Sequence, residues 1–262
     1  MNSTADNINI LAKFCGKRDL NRLTGEELFK KYKINQADIM VLFGGSIICG
    51  GDVLANGIMN RVAKKYIIVG GAGHTTESLR KSVNEKYPEI LTEGRTESEI
   101  FQVYLEKKYN LKADFLECRS TNCGNNITFL LQLIKEESLE CKSAILVQDA
   151  TMQYRMEAGL RKYCDYMEII NYAAYSVTVT EKSGKLAFKE DIPGMWNMER
   201  YIGLLMGEIS RLRDDEKGYG PKGKDYIVHI DIPDNVKKAF SELEQKYGNL
   251  IRKADPVFAS GK

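Results

Sequence analysis

From residue 37 onward the chain repeats one pattern: a short unbroken apolar run, a polar or glycine-rich break, then a longer amphipathic stretch. Ile39-Met40-Val41-Leu42-Phe43 ends at Gly44-Gly45-Ser46, and Tyr66-Ile67-Ile68-Val69 ends at Gly70-Gly71-Ala72-Gly73-His74-Thr75-Thr76. Phe115 to Cys118 ends at Arg119-Ser120-Thr121-Asn122, and Ala144-Ile145-Leu146-Val147 ends at Gln148-Asp149-Ala150-Thr151. A further run, Glu168 to Tyr172, closes the series. Unbroken apolar runs of this length suit strands buried on both faces, as in a parallel sheet. The stretches between them predict helices over 52–64, 76–86, 96–109, 122–138 and 151–164; Ile127, Leu130, Leu131 and Ile134 fall on i, i+3, i+4, i+7 spacing. Short buried strands alternating with helices imply βαβ units joined by right-handed crossovers. The expectation is an α/β protein with a Rossmann-like, doubly wound, mainly parallel five-stranded sheet over residues 37–174.

Outside that range the pattern differs. Residues 1–36 read as helical, with Ile8, Leu11 and Cys15 on one face, Leu28, Phe29 and Tyr32 on another, and a cap at Thr24-Gly25-Glu26-Glu27. After Ala174, Ser176 to Glu190 reads as a hairpin around Lys182-Ser183-Gly184-Lys185. Met195 to Arg213 has helical apolar spacing through Trp196, Tyr201, Leu204, Leu205, Ile209 and Leu212. Tyr226 to Ile232 alternates like a strand, and Asp234 to Tyr247 predicts a last helix. Residues 1–36 plus 175–262 are therefore expected to form a smaller, mostly helical lobe packed on the core. A chain of 262 residues suits one large domain or a core with such a lobe.

Composition narrows the function classes. A formal net charge of +2 offers no basic field for nucleic acid. None of Cys15, Cys49, Cys118, Cys123, Cys141 and Cys164 forms a CxxC pair, so free thiols in a reducing compartment are expected. Met1 to Asn9 lacks an apolar h-region and no apolar run reaches membrane-spanning length, so a cytoplasmic protein without membrane insertion is expected. There is no HExxH, no nucleophile elbow and no two-histidine cluster, and no metal is expected.

In doubly wound sheets ligands bind outside the carboxyl ends of the strands, where strand order reverses. All the polar strand-ends lie on that edge. Gly44-Gly45 and Gly70-Gly71-Ala72-Gly73 let backbone approach a ligand, or else only turn the chain tightly; neither is a dinucleotide fingerprint or a P-loop. Ser120, Thr121 and Asn122 open a helix whose first amides suit an anion or polar ligand, and the same residues are helix caps. His74 is placed to bind an anion or move a proton, or is a loop histidine bonded to backbone; His229 reads as structural. Glu97 and Glu99 suit a helix first turn, and Glu97 also suits a ligand amine or ribose hydroxyls. Asp149 at a buried strand-end needs a partner, a ligand or Arg155. Tyr219, between glycines in the Asp214–Asp225 stretch, is an aromatic able to fold over a crevice, or part of a solvated connection.

Together these blocks resemble the YdcF proteins of the wider bacterial SanA/ElyC/YdcF family. The resemblance rests on Val41-Leu42-Phe43-Gly44-Gly45, the Gly70–Thr76 and Arg119–Asn126 blocks, and Val147 to Arg155. Later blocks, Trp196–Tyr201, Arg211–Asp215, Gly218-Tyr219-Gly220-Pro221 and Asp225–His229, are similar to the YdcF branch in particular. The likeness runs from about residue 37 to 233. It implies a Rossmann-like core with a smaller helical lobe, and affinity for S-adenosylmethionine without an established reaction. It further implies that Gly44, Gly45, Gly71, Gly73, His74, Thr75, Glu97, Ser120, Thr121, Asn122, Asn126, Gln148 and Asp149 line the ligand. Many SanA and ElyC relatives resemble membrane-anchored envelope factors, an anchor this sequence does not show. Common methyltransferases end their first strand in a G-x-G loop and their second in an acidic residue; here the second ends in Gly70-Gly71.

Three functions fit. The first is a binder of S-adenosylmethionine or a similar nucleotide-like molecule. The second is an enzyme, a methyltransferase or a hydrolase of a phosphate- or sugar-containing substrate, with His74, Glu97 and Asp149 as catalytic candidates. The third is a regulatory factor, envelope-related in the family's pattern, whose ligand stabilises one arrangement.

Overall fold

The computed structural model describes residues 2–73 and 75–252. Five parallel strands form the main sheet: β1 (Ala37–Phe43), β2 (Ala63–Val69), β3 (Phe115–Glu117), β4 (Ser143–Val147) and β5 (Glu168–Asn171). Their order is β3-β2-β1-β4-β5. In register, Val41 stands beside Ile67 on one side and Leu146 on the other. The chain builds outward from β1 through β2 and β3, then restarts on the other flank of β1 with β4, so strand order reverses between β1 and β4. This is the Rossmann-like doubly wound sheet expected from the apolar runs. Every residue of β1 and β4 is buried, as central strands covered on both faces must be, while Glu168 of β5 and Lys64 and Lys65 of β2 reach solvent.

The described residues divide into two compact units. One comprises Arg18–Asp149 and Tyr166–Ala174, and so holds all five sheet strands. It also holds α2 (Gly25–Tyr32), α3 (Cys49–Met59), α4 (Thr76–Lys86), α5 (Glu97–Tyr109) and α6 (Cys123–Glu136). The other combines residues 2–17, Ala150–Asp165 and residues 175–252. It is built of α1 (Thr4–Cys15), α7 (Gln153–Tyr163), the antiparallel hairpin β6 (Val179–Lys182) with β7 (Lys185–Phe188), α8 (Met198–Leu212) and α9 (Asp234–Tyr247). Grouping by apolar pattern put 1–36 with the later residues and 151–164 with the strands; grouping by compactness puts α2 with the sheet and α7 with the helices.

In the helical unit, Ile8, Leu11 and Cys15 of α1 are buried with Leu204, Leu205 and Ile209 of α8 and Val236, Phe240 and Leu243 of α9. A buried charge cluster ties this unit: Glu208 of α8 accepts a two-pronged bond from Arg155 and an ion pair from Arg211 at 3.2 Å. Burial would raise the Glu208 pKa, but the two arginines outweigh it and hold the carboxyl below its usual value.

Four expectations are corrected here. Tyr226 to Ile232 is not a strand: the amides of Tyr226 and Ile227 both bond to the Tyr219 carbonyl, Val228 bonds to the Ala158 carbonyl, and the buried residues Ile227 and Ile230 are spaced by three rather than two. Tyr219 does not sit in a loose loop. Its amide bonds to Arg211, its ring meets Tyr226 edge-on at 5.2 Å, and Gly218 and Gly223 are wound against backbone. On α2 only Leu28 is buried; Phe29, a hundred degrees round the helix, is 53% exposed beneath the Lys33 ammonium. Trp196 precedes α8, whose N-cap is Asn197.

Two side-chain clusters fix the sheet unit. At the amino edge, Asp38 of β1 accepts the amides of Lys142 (2.8 Å) and Ser143 (3.0 Å) and the Ser143 hydroxyl (3.1 Å), with Lys64 at 2.6 Å, so one carboxylate staples β1 to β4. Burial would raise its pKa, but Lys64 and these donors together lower it. On the helices, Asp52 of α3 accepts the hydroxyls of Tyr104 (2.5 Å) and Tyr109 (2.6 Å) and the Lys108 ammonium (3.0 Å), which locks α5 to α3. Replacing Asp38 by Ala leaves buried amides without an acceptor and is expected to cost about 1–3 kcal/mol. Because the folded pKa is depressed, the contribution of Asp38 is present above pH 3.8 and is lost as pH falls below it. Urea unfolding of wild type and Asp38→Ala at neutral and acid pH measures both.

Candidate functional site

The carboxyl edge begins where β1 and β2 end side by side. The Gly44 amide bonds to the Val69 carbonyl at 2.6 Å, and the Gly70 amide to the Glu117 carbonyl at 2.9 Å, so the ladders run on into the glycines. A Cβ on Gly44 would lie 2.5 Å from Glu97 Oε2, and one on Gly70 would lie 3.1 Å from the Gly44 Cα. Glycine is needed here for close approach, since neither residue has a positive φ.

Glu97 opens α5 and is 6% exposed. Thr96 and Glu99 form the capping box, so the helix cap is Glu99 and the Glu97 side chain is left to point elsewhere. Its Oε1 accepts the hydroxyls of Thr75 (2.8 Å) and Thr76 (3.0 Å), and its amide bonds to the Gly71 carbonyl at 2.9 Å. Thr76 in turn accepts the Gly73 amide at 2.8 Å. Burial raises the Glu97 pKa, against the threonine hydroxyls and the more distant Arg80.

The third turn is anchored by a residue that pattern reading passed over as mere strand. Glu117, 2% exposed at the end of β3, accepts the amides of Arg119 (2.6 Å) and Ser120 (3.2 Å). The signal for it is local: a carboxylate two and three residues ahead of amides at a strand's end folds the chain back on itself. Ser120, also 2% exposed, presents its hydroxyl to the Gly71 amide at 3.1 Å. A Cβ on Gly71 would strike the backbone of Ser120 and Cys118. Gly73 lies against the Thr121 carbonyl.

Other residues divide between site and scaffold. Asn122 is the N-cap of α6, its Oδ1 accepting the Asn125 amide at 2.9 Å, and the Thr121 hydroxyl bonds to Asn125 at 3.1 Å, which is the capping use of these residues. Asn126 is buried in the first turn of α6. Across the switch point, Gln148 Nε2 reaches the Gly44 carbonyl at 3.4 Å, and Gln148 Oε1 takes the Asp149 amide at 2.6 Å and stands 3.5 Å from where a Gly45 Cβ would be. Asp149 is 6% exposed. His74 lies outside the described residues. Gly44, Gly71, Gly73, Thr75, Glu97, Ser120 and Gln148 thus form one connected series across β4, β1, β2 and β3, with Gly45 and Asp149 at its β4 end. His229, expected to be structural, bridges Asp214 at 2.5 Å and Asp231 at 3.0 Å. Among the described residues no group of three or more His, Cys, Asp or Glu is arranged to hold a metal ion, and no helix is long and apolar enough to cross a membrane.

No family model matches the chain.

Two substitutions test this geometry. Gly71→Ala places a methyl group in rigid backbone and is expected to destabilise by about 1–3 kcal/mol, read as a lower urea midpoint. Glu97→Gln keeps an acceptor for both threonines and removes the charge. A carboxyl with a raised folded pKa contributes most below its ordinary value of 4.5 and less as pH rises. Wild type is therefore expected to lose stability relative to Glu97→Gln on going from pH 4 to pH 8, in paired unfolding curves.

Proposed function

We propose that the chain binds a nucleotide-like small molecule at the carboxyl edge of its sheet, with S-adenosylmethionine the leading ligand. The observation that carries this reading is the linked set of turns after β1, β2, β3 and β4. They gather on one edge, beside the point where strand order reverses, and doubly wound sheets take their ligands there. Gly44 and Gly71 let the strand ends and turns pack together on that edge, and Thr75, Glu97, Gln148 and Asp149 supply polar groups of the kind that fix a ribose or an amine. The sequence likeness to YdcF proteins supports the choice of S-adenosylmethionine, and a cytoplasmic setting accords with it.

A second reading, an enzyme in the same crevice, has one specific observation in its favour. Glu97 is buried without an ion-pair partner among the described residues and its pKa is raised, as acid–base groups in active sites are. Methyl transfer and hydrolysis of a phosphate- or sugar-containing substrate are the reactions it would serve, with Asp149 and His74 as further candidates.

A thermal-shift comparison of S-adenosylmethionine, S-adenosylhomocysteine, ATP, NAD and UDP-sugars tests the proposal. A ligand at about a hundred times its Kd adds roughly 2.7 kcal/mol to the folded state. Stabilisation of wild type by an adenosyl compound, lost in Asp149→Ala, is the expected outcome. No shift with any adenosyl compound at millimolar concentration would refute it.

A further inference from the structure

Three features at the carboxyl edge of β1, β4 and β5 are not accounted for by the glycine turns. The first is the start of α3. This eleven-residue helix begins at Cys49 without a side-chain cap, and Ser46 to Gly51 are all buried. The amides of Gly50 and Gly51 already bond to the carbonyls of Ile47 (3.2 Å) and Ile48 (2.9 Å), so what this buried start offers is the positive end of the helix dipole, which favours an anion. The second is Ser46 itself, in the turn leading into α3. It is 3% exposed, and its hydroxyl has no hydrogen-bond partner among the described residues.

The third is Arg18. It pairs antiparallel with Tyr172 just beyond β5, donates from Nε to the Ala173 carbonyl at 2.8 Å, and lays its guanidinium 4.3 Å over the Tyr172 ring. Among the described residues no carboxylate lies within ion-pair range of it. Stacking and one hydrogen bond hold the guanidinium of this exposed residue in place, an arrangement suited to a planar anion.

These features adjoin. Cys49 Sγ lies 3.7 Å from the Ala174 carbonyl, which brings the α3 start against the residue after Ala173. The Cys49 thiol is pushed up to about 12, by burial first and then by Asp149 and Asp52, with Arg18 pulling the other way. Positive and negative charge thus both act on the start of α3. A bare phosphate would meet the Asp149 carboxylate there, whereas a group carrying both charges satisfies both sides.

We propose that this corner of the sheet binds an α-amino-carboxylate. The ligand carboxylate meets Arg18 and the Ser46 hydroxyl at the positive end of α3, and the ammonium lies toward Asp149. The inference rests on the reading of the carboxyl edge as a ligand site and names which end of the ligand lies at the β1/β4 switch. It adds Arg18 and Ser46 to the binding residues.

Two ligands separate it from that reading. S-adenosylhomocysteine carries the amino-carboxylate and 5′-methylthioadenosine lacks it. By titration calorimetry wild type is expected to prefer S-adenosylhomocysteine by roughly ten- to a hundredfold, the worth of a charged hydrogen bond. Ser46→Ala and Arg18→Met are expected to erase much of that preference while leaving 5′-methylthioadenosine unchanged. Ser46→Ala removes a hydroxyl that has no partner among the described residues, so it should melt no lower than wild type. Equal affinity for the two ligands in wild type, or an undiminished preference in Arg18→Met, overturns the inference while the nucleotide reading stands. If neither adenosyl ligand binds, that reading fails, and thermal shifts with L-methionine and inorganic phosphate decide this one alone. Stabilisation by methionine that Arg18→Met abolishes upholds it; stabilisation by phosphate only, or by neither, overturns it.

Discussion

Two strand ends come closer together at the carboxyl edge than side chains would allow, and the rest of the edge follows from that. With Gly44 and Gly70 against one another, the Glu97 carboxylate lies where their Cβ atoms would be. From Glu97 the hydrogen bonds run outward to Thr75 and Thr76 and from Thr76 to Gly73, while Gly71 is tied to Ser120 and Ser120 to Glu117. Three turns separated by dozens of residues therefore behave as one object. Disturbing any glycine in it shifts a carboxylate and two hydroxyls, not just a loop. The far end of the same device is Asp52, whose grip on Tyr104, Lys108 and Tyr109 fixes the helix that carries Glu97.

The sheet was legible because burial on both faces leaves an unmistakable trace. Ile39 to Phe43 and Ala144 to Val147 have no polar residue because both faces of β1 and β4 are covered. The helix over Asp234–Tyr247 matches its predicted bounds, with Pro233 before it and Gly248 after it marking its ends. Tyr226 to Ile232 misled because alternation states only which residues are apolar. Whether a strand forms depends on a neighbour to bond with, and here the amides of Tyr226 and Ile227 go to Tyr219 instead. Phe29 misled for a related reason. A helix of eight residues turns one narrow stripe inward, and Leu28 occupies it.

The site was legible by position and not by role. Strand-ends on one edge follow from topology alone, so the sequence pattern itself puts Gly44, Gly71, Ser120, Gln148 and Asp149 on one edge. What each does there depends on partners far apart in sequence. Nothing local separates Glu97 from Glu99, two acidic residues in one first turn; Glu99 closes the capping box, and Glu97 is thereby released to reach Thr75 and Thr76. Glu117 and Ser46 were hidden similarly. The first is a carboxylate among strand residues, and the second stands out only for a hydroxyl that finds no partner among the described residues.

The contrast between Asp38 and Glu97 shows how the two edges of one sheet acquire different chemistry. Both carboxylates are largely out of water, and for both burial is the largest influence on the pKa. Asp38 meets two amides, a hydroxyl and a lysine, which together outweigh burial and keep it charged. Glu97 meets two hydroxyls, which do not, and its proton is held more tightly than usual. Amides are available at the amino edge because strands begin there with donors facing outward. At the carboxyl edge the strands end in carbonyls, so a carboxylate must find its donors in turns and helix starts. Charge is consequently harder to hold at that end. The groups that can relieve it, the hydroxyls of Thr75, Thr76 and Ser120 and the first amides of the following helices, are of the kind that a polar ligand also calls on.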